Sequence, residues 1–204
     1  MASTDQTVPS KCLSCSAELE SPIVCTGCHK LYPVPEPLDY FELFRLPHRY
    51  RIDLGDLEHR FLAITRNVHP DFFTGHSEDM CRLAVRLSAE LNEAYRVLKD
   101  PVLRAGYLLE QSGGRSASED HSVPPSVLSE VMMLREELEA AEGDQTAAAS
   151  VRRRVVARRG EILTRIAELA DDLANAGDED KTTLRSLLNS VKYYENLLAE
   201  LPVG

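Results

Sequence analysis

The sequence predicts an all-α chain, built as a helical hairpin and a three-helix C-terminal bundle behind a small N-terminal metal knuckle. Three observations predict it. Apolar residues recur at spacings of three and four between Leu57 and Leu98, on either side of Asn67-Val68-His69-Pro70-Asp71-Phe72-Phe73. From about residue 124 onward the pattern is helical throughout. Four of the five cysteines stand before residue 30.

Those four set the first segment, residues 1–37. Cys12 and Cys15, then Cys25 and Cys28, form two Cys-x2-Cys turns, a spacing that lets thiolates converge tetrahedrally on one metal ion. In a reducing compartment two disulfides are the weaker explanation. Structural Zn²⁺ is the expected occupant; rubredoxin-like iron or a labile cluster stays open, because four sulfurs do not by themselves choose the metal. His29 adjoins Cys28 and is left out of the ligand set, since four thiolates already close it. So short a segment is expected to need the metal to fold. It holds only Lys11 and Lys30 against four carboxylates, which points to stability or protein contact rather than nucleic acid. Pro33, Pro35 and Pro37 make a stiff connector.

A short helix is expected from about Tyr40 to Leu46. Asp53 then caps a long one, with Asp56 in its first turn favourable to the helix dipole. Leu57, Phe61, Ile64 and Val68 form its stripe, and Pro70 stops it. Cys81, Ala84, Leu87 or Ser88, Leu91, Tyr95 and Leu98 mark the returning helix, with Cys81 read as a small buried hydrophobe. Asp100-Pro101 starts a further helix that ends at Ser112-Gly113-Gly114. By its residues alone His69-Pro70-Asp71 is a helix stop, and the face carrying His59 and Arg66, with Arg60 on its flank, is a solvated one.

The flanks add to this. Asp39-Tyr40-Phe41-Glu42-Leu43-Phe44 lies upstream of the tip. Leu91-Asn92-Glu93-Ala94-Tyr95-Arg96-Val97-Leu98-Lys99-Asp100-Pro101 and Arg104-Ala105-Gly106-Tyr107-Leu108-Leu109 lie downstream. Together they resemble a J-domain over residues 38–111, specifically that of the HscB family of iron–sulfur cluster assembly co-chaperones, of the type with an N-terminal four-cysteine zinc knuckle. The resemblance implies that His69, Pro70 and Asp71, with Arg66, Arg60 and His59, engage an ATPase chaperone of the HscA or DnaK class. Two departures stand out: the face is only moderately basic, and Phe72 occupies a place where many J-domains have lysine.

Residues 112–123 have linker composition, and a second domain is expected over 124–204. Its first helix, about 126–142, places Val127, Val131, Leu134 and Leu138 on one stripe. Leu128 and Met132, leading to Glu136, form another strip rotated away from it, which needs either a second buried side or a partner. The middle helix carries Ile162, Ile166, Leu169 and Leu173. The last carries Leu184, Leu187, Val191, Tyr194, Leu198 and Leu201, with Tyr193 off the stripe. Three such helices make an antiparallel bundle. Arg152, Arg153, Arg154, Arg158 and Arg159 are read as a solvated helix face. The family resemblance implies that the bundle binds an IscU-type iron–sulfur scaffold protein through Leu128, Met132, Glu136 and Tyr193; Ser129 and Met133 stand where relatives can have an apolar and an acidic contact.

Composition bounds the rest. The 204 residues are 43% apolar with a formal net charge of -10, which disfavours nucleic acid or an anionic membrane as main partner. No apolar run approaches membrane-spanning length. Residues 1–10 contain Asp5, no arginine and no apolar block, resembling neither a signal nor a transit peptide; a cytoplasmic protein is expected, with the mitochondrial matrix as alternative. No phosphate-binding loop of the Gly-x4-Gly-Lys-Ser/Thr kind occurs, and no Ser/His/Asp or paired-carboxylate set suggests an enzyme. The expected function is that of a co-chaperone which stimulates the chaperone ATPase and delivers scaffold protein to it. The alternatives are a general J-domain protein whose bundle binds another client or self-associates, and a zinc-ribbon nucleic-acid protein.

Overall fold

The computed structural model describes residues 10–33, 37–141 and 143–200. The reading of residues 1–10, apart from Ser10 itself, and those of Pro35 and Leu201 therefore lie outside the described residues. Among these residues regular structure is helical: α1 (Tyr40–Leu43), α2 (Leu54–Val68), α3 (Glu78–Lys99), α4 (Pro101–Gln111), α5 (Pro125–Ala140), α6 (Gln145–Asp171) and α7 (Asp178–Glu200), with a 3-10 turn at Pro70–Phe73. No described helix is long and apolar enough to cross a membrane. The chain forms two compact units, residues 1–100 and 101–204.

In the first unit each helix starts where a side chain caps it. The Asp39 carboxylate accepts from the Phe41 and Glu42 amides, that of Asp53 from Gly55 and Asp56, and the Ser77 hydroxyl from Met80, each satisfying amide donors left free in a first turn. Helix α1 is shorter than its sequence suggests, because Arg45 turns to a left-handed φ of 51°. Helix α2 buries Leu57, Ile64 and Val68 against α3, which buries Ala84, Leu87, Leu91, Ala94, Val97 and Leu98. Phe61 stacks on Tyr95 with ring centroids 4.0 Å apart. Cys81 is half-buried, and its thiol donates to the Phe73 carbonyl at 3.0 Å. The described residues of the cysteine-rich segment have isolated β-bridges and no helix. It is fastened to α1: the buried Ser21 hydroxyl donates to the Leu43 carbonyl at 3.0 Å.

In the second unit α4 packs on α6 and α7, although its sequence had grouped it with the hairpin. It offers Ala105, Leu108 and Leu109 as its buried face. Residues 112–123, despite their linker composition, are tied to α7: Lys181 donates to the Ser112 carbonyl at 2.7 Å, and Asn189 to the carbonyls of Asp120 at 2.9 Å and Ser122 at 3.1 Å. Helix α6 begins behind an Asp144 cap, well before the Ile162–Leu173 stripe, and adds Val151 and Val155 to the core. On α7 the buried set is Leu184, Leu188, Val191, Tyr194 and Leu197, while Leu187 and Leu198 are half-buried, because α4, α5 and α6 all pack against this helix and widen its apolar face. Three of the five arginines in the run are paired: Arg154 meets Glu137, Arg158 meets Glu130 and Glu161, and Arg159 meets Glu195 at 2.7 Å.

Ile166, fully enclosed on α6, tests this packing. Ile166→Ala is expected to cost about 2–5 kcal/mol of stability through lost burial and the cavity left behind, read from urea unfolding of the full chain.

Candidate metal centre and docking surfaces

Two backbone turns of the same design build the cysteine site. In the first, the Cys12 amide donates to the Ala17 carbonyl at 2.8 Å and the Ser16 amide to the Cys12 carbonyl at 2.9 Å; in the second, Cys25 donates to Lys30 at 3.0 Å and His29 to Cys25 at 2.8 Å. The fourth residue after each leading cysteine takes a left-handed φ, 61° at Ser16 and 56° at His29. The four sulfurs converge, all within 4.8 Å of one another. Cys12 and Cys28 lie 3.5 Å apart, and Cys15 and Cys25 lie 3.6 Å apart. A disulfide needs about 2.05 Å, so these are free thiols. A tetrahedron with metal–sulfur bonds of about 2.3 Å has edges near about 3.8 Å, and the four donors fit it. Tyr32, its hydroxyl 3.1 Å from Cys12 Sγ, holds that thiol down at about 5, below its ordinary 9.0, while the neighbouring sulfurs push Cys15 up to about 12 and raise Cys28. Cys12 and Cys25 are buried, Cys15 and Cys28 exposed. His29 Nδ1 points elsewhere, to Asn67 Oδ1 at 2.7 Å, in agreement with its exclusion from the ligands.

The His-Pro-Asp tip is held by its neighbours and presented to solvent. Helix α2 ends at Val68, and His69 takes a ψ of 127° ahead of Pro70, as a residue before proline must. The His69 ring accepts from the Asp71 amide at 3.3 Å, and the Thr74 hydroxyl donates to the Asp71 carbonyl at 2.9 Å. Phe73 is buried and anchors the turn. The Ser88 hydroxyl of α3 donates to the Val68 carbonyl at 3.1 Å, holding the end of α2. Against these fixed points the Asp71 side chain is 84% exposed and that of His69 50%, with Phe72 also exposed beside them.

On α2, His59 and Arg66 are exposed. Arg60 is committed to the fold: it donates to the Asp56 carboxylate at 2.8 Å and to the Phe44 carbonyl at 3.2 Å. In the second unit Leu128, Met132, Glu136 and Tyr193 are all exposed, on α5 and α7, helices that pack on each other. Their support is buried: the Tyr194 hydroxyl donates to Glu130 at 2.7 Å, and its burial and that carboxylate push it up to about 12. Sequence reasoning missed Asn67, Tyr32, Phe73 and Ser88 as supports. Only Phe73, directly after an exposed tripeptide, carried a pattern that could have pointed to it.

A hairpin with an exposed His-Pro-Asp tip, joined to a helical bundle, defines a J-domain co-chaperone, a non-enzymatic class. Residues 123–202 match the family model described as the HSCB C-terminal oligomerisation domain, and the chain is 36% identical over 170 residues to the co-chaperone protein HscB homolog of Bordetella petrii, covering 81% of this chain and 98% of that one. The chain belongs to the HscB co-chaperone family. It is also 27% identical over 191 residues to the iron-sulfur cluster co-chaperone protein HscB homolog of Arabidopsis thaliana, covering 93% of this chain and 72% of that one. The crystal structure of the human co-chaperone protein HscB is similar with a TM-score of 0.75 at 25% identity, over 94% of this chain and 96% of that one.

Proposed function

We propose that this chain docks on the ATP-bound form of an HscA- or DnaK-class chaperone through His69, Pro70 and Asp71, and promotes ATP hydrolysis there. His59 and Arg66 steer that encounter, and Arg60 shapes the face from within. The bundle presents an IscU-type scaffold protein to the same chaperone through Leu128, Met132, Glu136 and Tyr193. Cys12, Cys15, Cys25 and Cys28 hold one structural Zn²⁺, and the protein works in the cytoplasm. The observation that carries this reading is the hydrogen-bonded yet exposed His69-Pro70-Asp71 tip, in a chain similar to the iron-sulfur cluster co-chaperone protein of Arabidopsis thaliana. Joining the two binding modules makes the second encounter intramolecular, which raises the effective concentration of scaffold at the chaperone.

Single-turnover ATP hydrolysis by a DnaK-class chaperone tests it. The full chain is expected to accelerate hydrolysis, His69→Gln to abolish the acceleration, and added scaffold to raise it further. Acceleration that needs His69 but ignores scaffold would mean a general J-protein with another client, or a bundle that self-associates.

A further inference from the structure

We propose that the metal knuckle braces the chaperone-docking tip, and that His29 is a positioning residue acting through Asn67. The inference rests on the docking role of His69-Pro70-Asp71 proposed above.

Asn67 stands in the last turn of α2, two residues before His69. Its amide group is oriented by two bonds: Nδ2 donates to the Ala63 carbonyl at 2.8 Å, and Oδ1 accepts from His29 Nδ1 at 2.7 Å. A helix frays at its C-terminal turn, where carbonyls lack partners. Here two side chains from outside the helix hold that turn, Ser88 from α3 at the Val68 carbonyl and His29 from the knuckle at Asn67.

His29 sits at a left-handed position that histidine tolerates better than most side chains. The matching position of the other turn holds a serine, Ser16, at a φ of 61°, so the backbone conformation can be met without a ring. The turn does not call for an imidazole; the contact with Asn67 uses one. His29 keeps its strained geometry because its amide bonds the Cys25 carbonyl inside the turn that the Cys25 and Cys28 ligands close. The knuckle also borders the docking helix further along, where Glu20 lines a cleft with Asp56, His59, Arg60 and Ala63. Position is thus passed from the metal-closed turn through His29 and Asn67 to the tip.

Without the brace the tip holds its docking geometry for a smaller fraction of the time, and apparent affinity for the chaperone falls by that fraction. One exposed hydrogen bond corresponds to a change of at most about two- to fivefold. The test uses the metal-loaded full chain as parent, His29→Ala, Asn67→Ala and the double variant, with His69→Gln as reference, each titrated into single-turnover hydrolysis by a DnaK-class chaperone. His29→Ala is expected to raise the half-saturating concentration about two- to fivefold with maximal stimulation, metal content and helicity unchanged. In the Asn67→Ala background it should add nothing, and amide exchange over residues 67–74 should quicken in His29→Ala alone. Parental half-saturation in His29→Ala, or a loss that adds fully to that of Asn67→Ala, overturns the brace. Stimulation indifferent to His69→Gln overturns the docking role beneath it, so the two failures are told apart.

Discussion

Replacing Cys12 and Cys25 together by serine is expected to remove the metal completely and to unfold residues 10–33 while leaving the helices in place. The two positions take one ligand from each turn, and both are buried. What remains is Cys15 and Cys28, both exposed, which cannot close a tetrahedral site. Cys12, Leu19 and Cys25 form one buried cluster, with Ala17 and Tyr32 against it, so two of the ligands are part of the interior. Ile23, Val24 and Leu31 are also buried among its described residues, too few to order a segment that small without the metal. Native mass spectrometry should pass from one metal ion per chain to none. Far-UV circular dichroism should barely change, because the described residues before Tyr40 include no helix. Retained metal would defeat the four-cysteine assignment, and a large loss of helicity would show that α2 and α3 depend on the knuckle for folding itself.

That the knuckle rests on the hairpin could not be read from the sequence. The cysteine spacing and the apolar stripes are local patterns, and they correctly yield four convergent sulfurs, the α2–α3 hairpin and the α5–α7 bundle. The bond between His29 and Asn67 joins residues 38 apart, and no periodicity marks either one. The same limit explains α4. Its stripe of Ala105, Leu108 and Leu109 shows that one face is buried, but amphipathicity does not say against what, and chain order suggested the hairpin. Helix α6 began earlier than its large apolar residues indicated because Gln145–Ala157 is rich in alanine and arginine, good helix formers that leave only Val151 and Val155 to mark a buried face. The polar supports of the tip were illegible for a further reason: a serine such as Ser88 has its role only once α3 has brought it to the Val68 carbonyl. Exposed residues fare differently. Leu128 and Met132 stood out because they broke the stripe, and the structure leaves both at the surface.

The strip on α5 has the largest expected effect on affinity. Met132 is 63% exposed and Leu128 38%, one helical turn apart on a face that the bundle does not use. Val127, Val131 and Leu134 already fill the core side of α5, so nothing inside the unit requires large apolar groups at 128 and 132. Leu128→Ala with Met132→Ala should therefore weaken binding of an IscU-type scaffold about 10- to 100-fold by calorimetry, as truncation of two central contacts does. Thermal stability should stay close to the parent, in contrast to Ile166→Ala. Tyr193→Ala should act in the same direction and more weakly, since Tyr194 beside it, held by Glu130, keeps α7 in place. Val156, 51% exposed on α6, supplies the control: removing an equally exposed apolar group there should leave affinity unchanged. Equal affinity of the Leu128 and Met132 variant would remove the strip as the binding surface, and an equal loss at Val156 would mean that general surface hydrophobicity, rather than this face, carries the association.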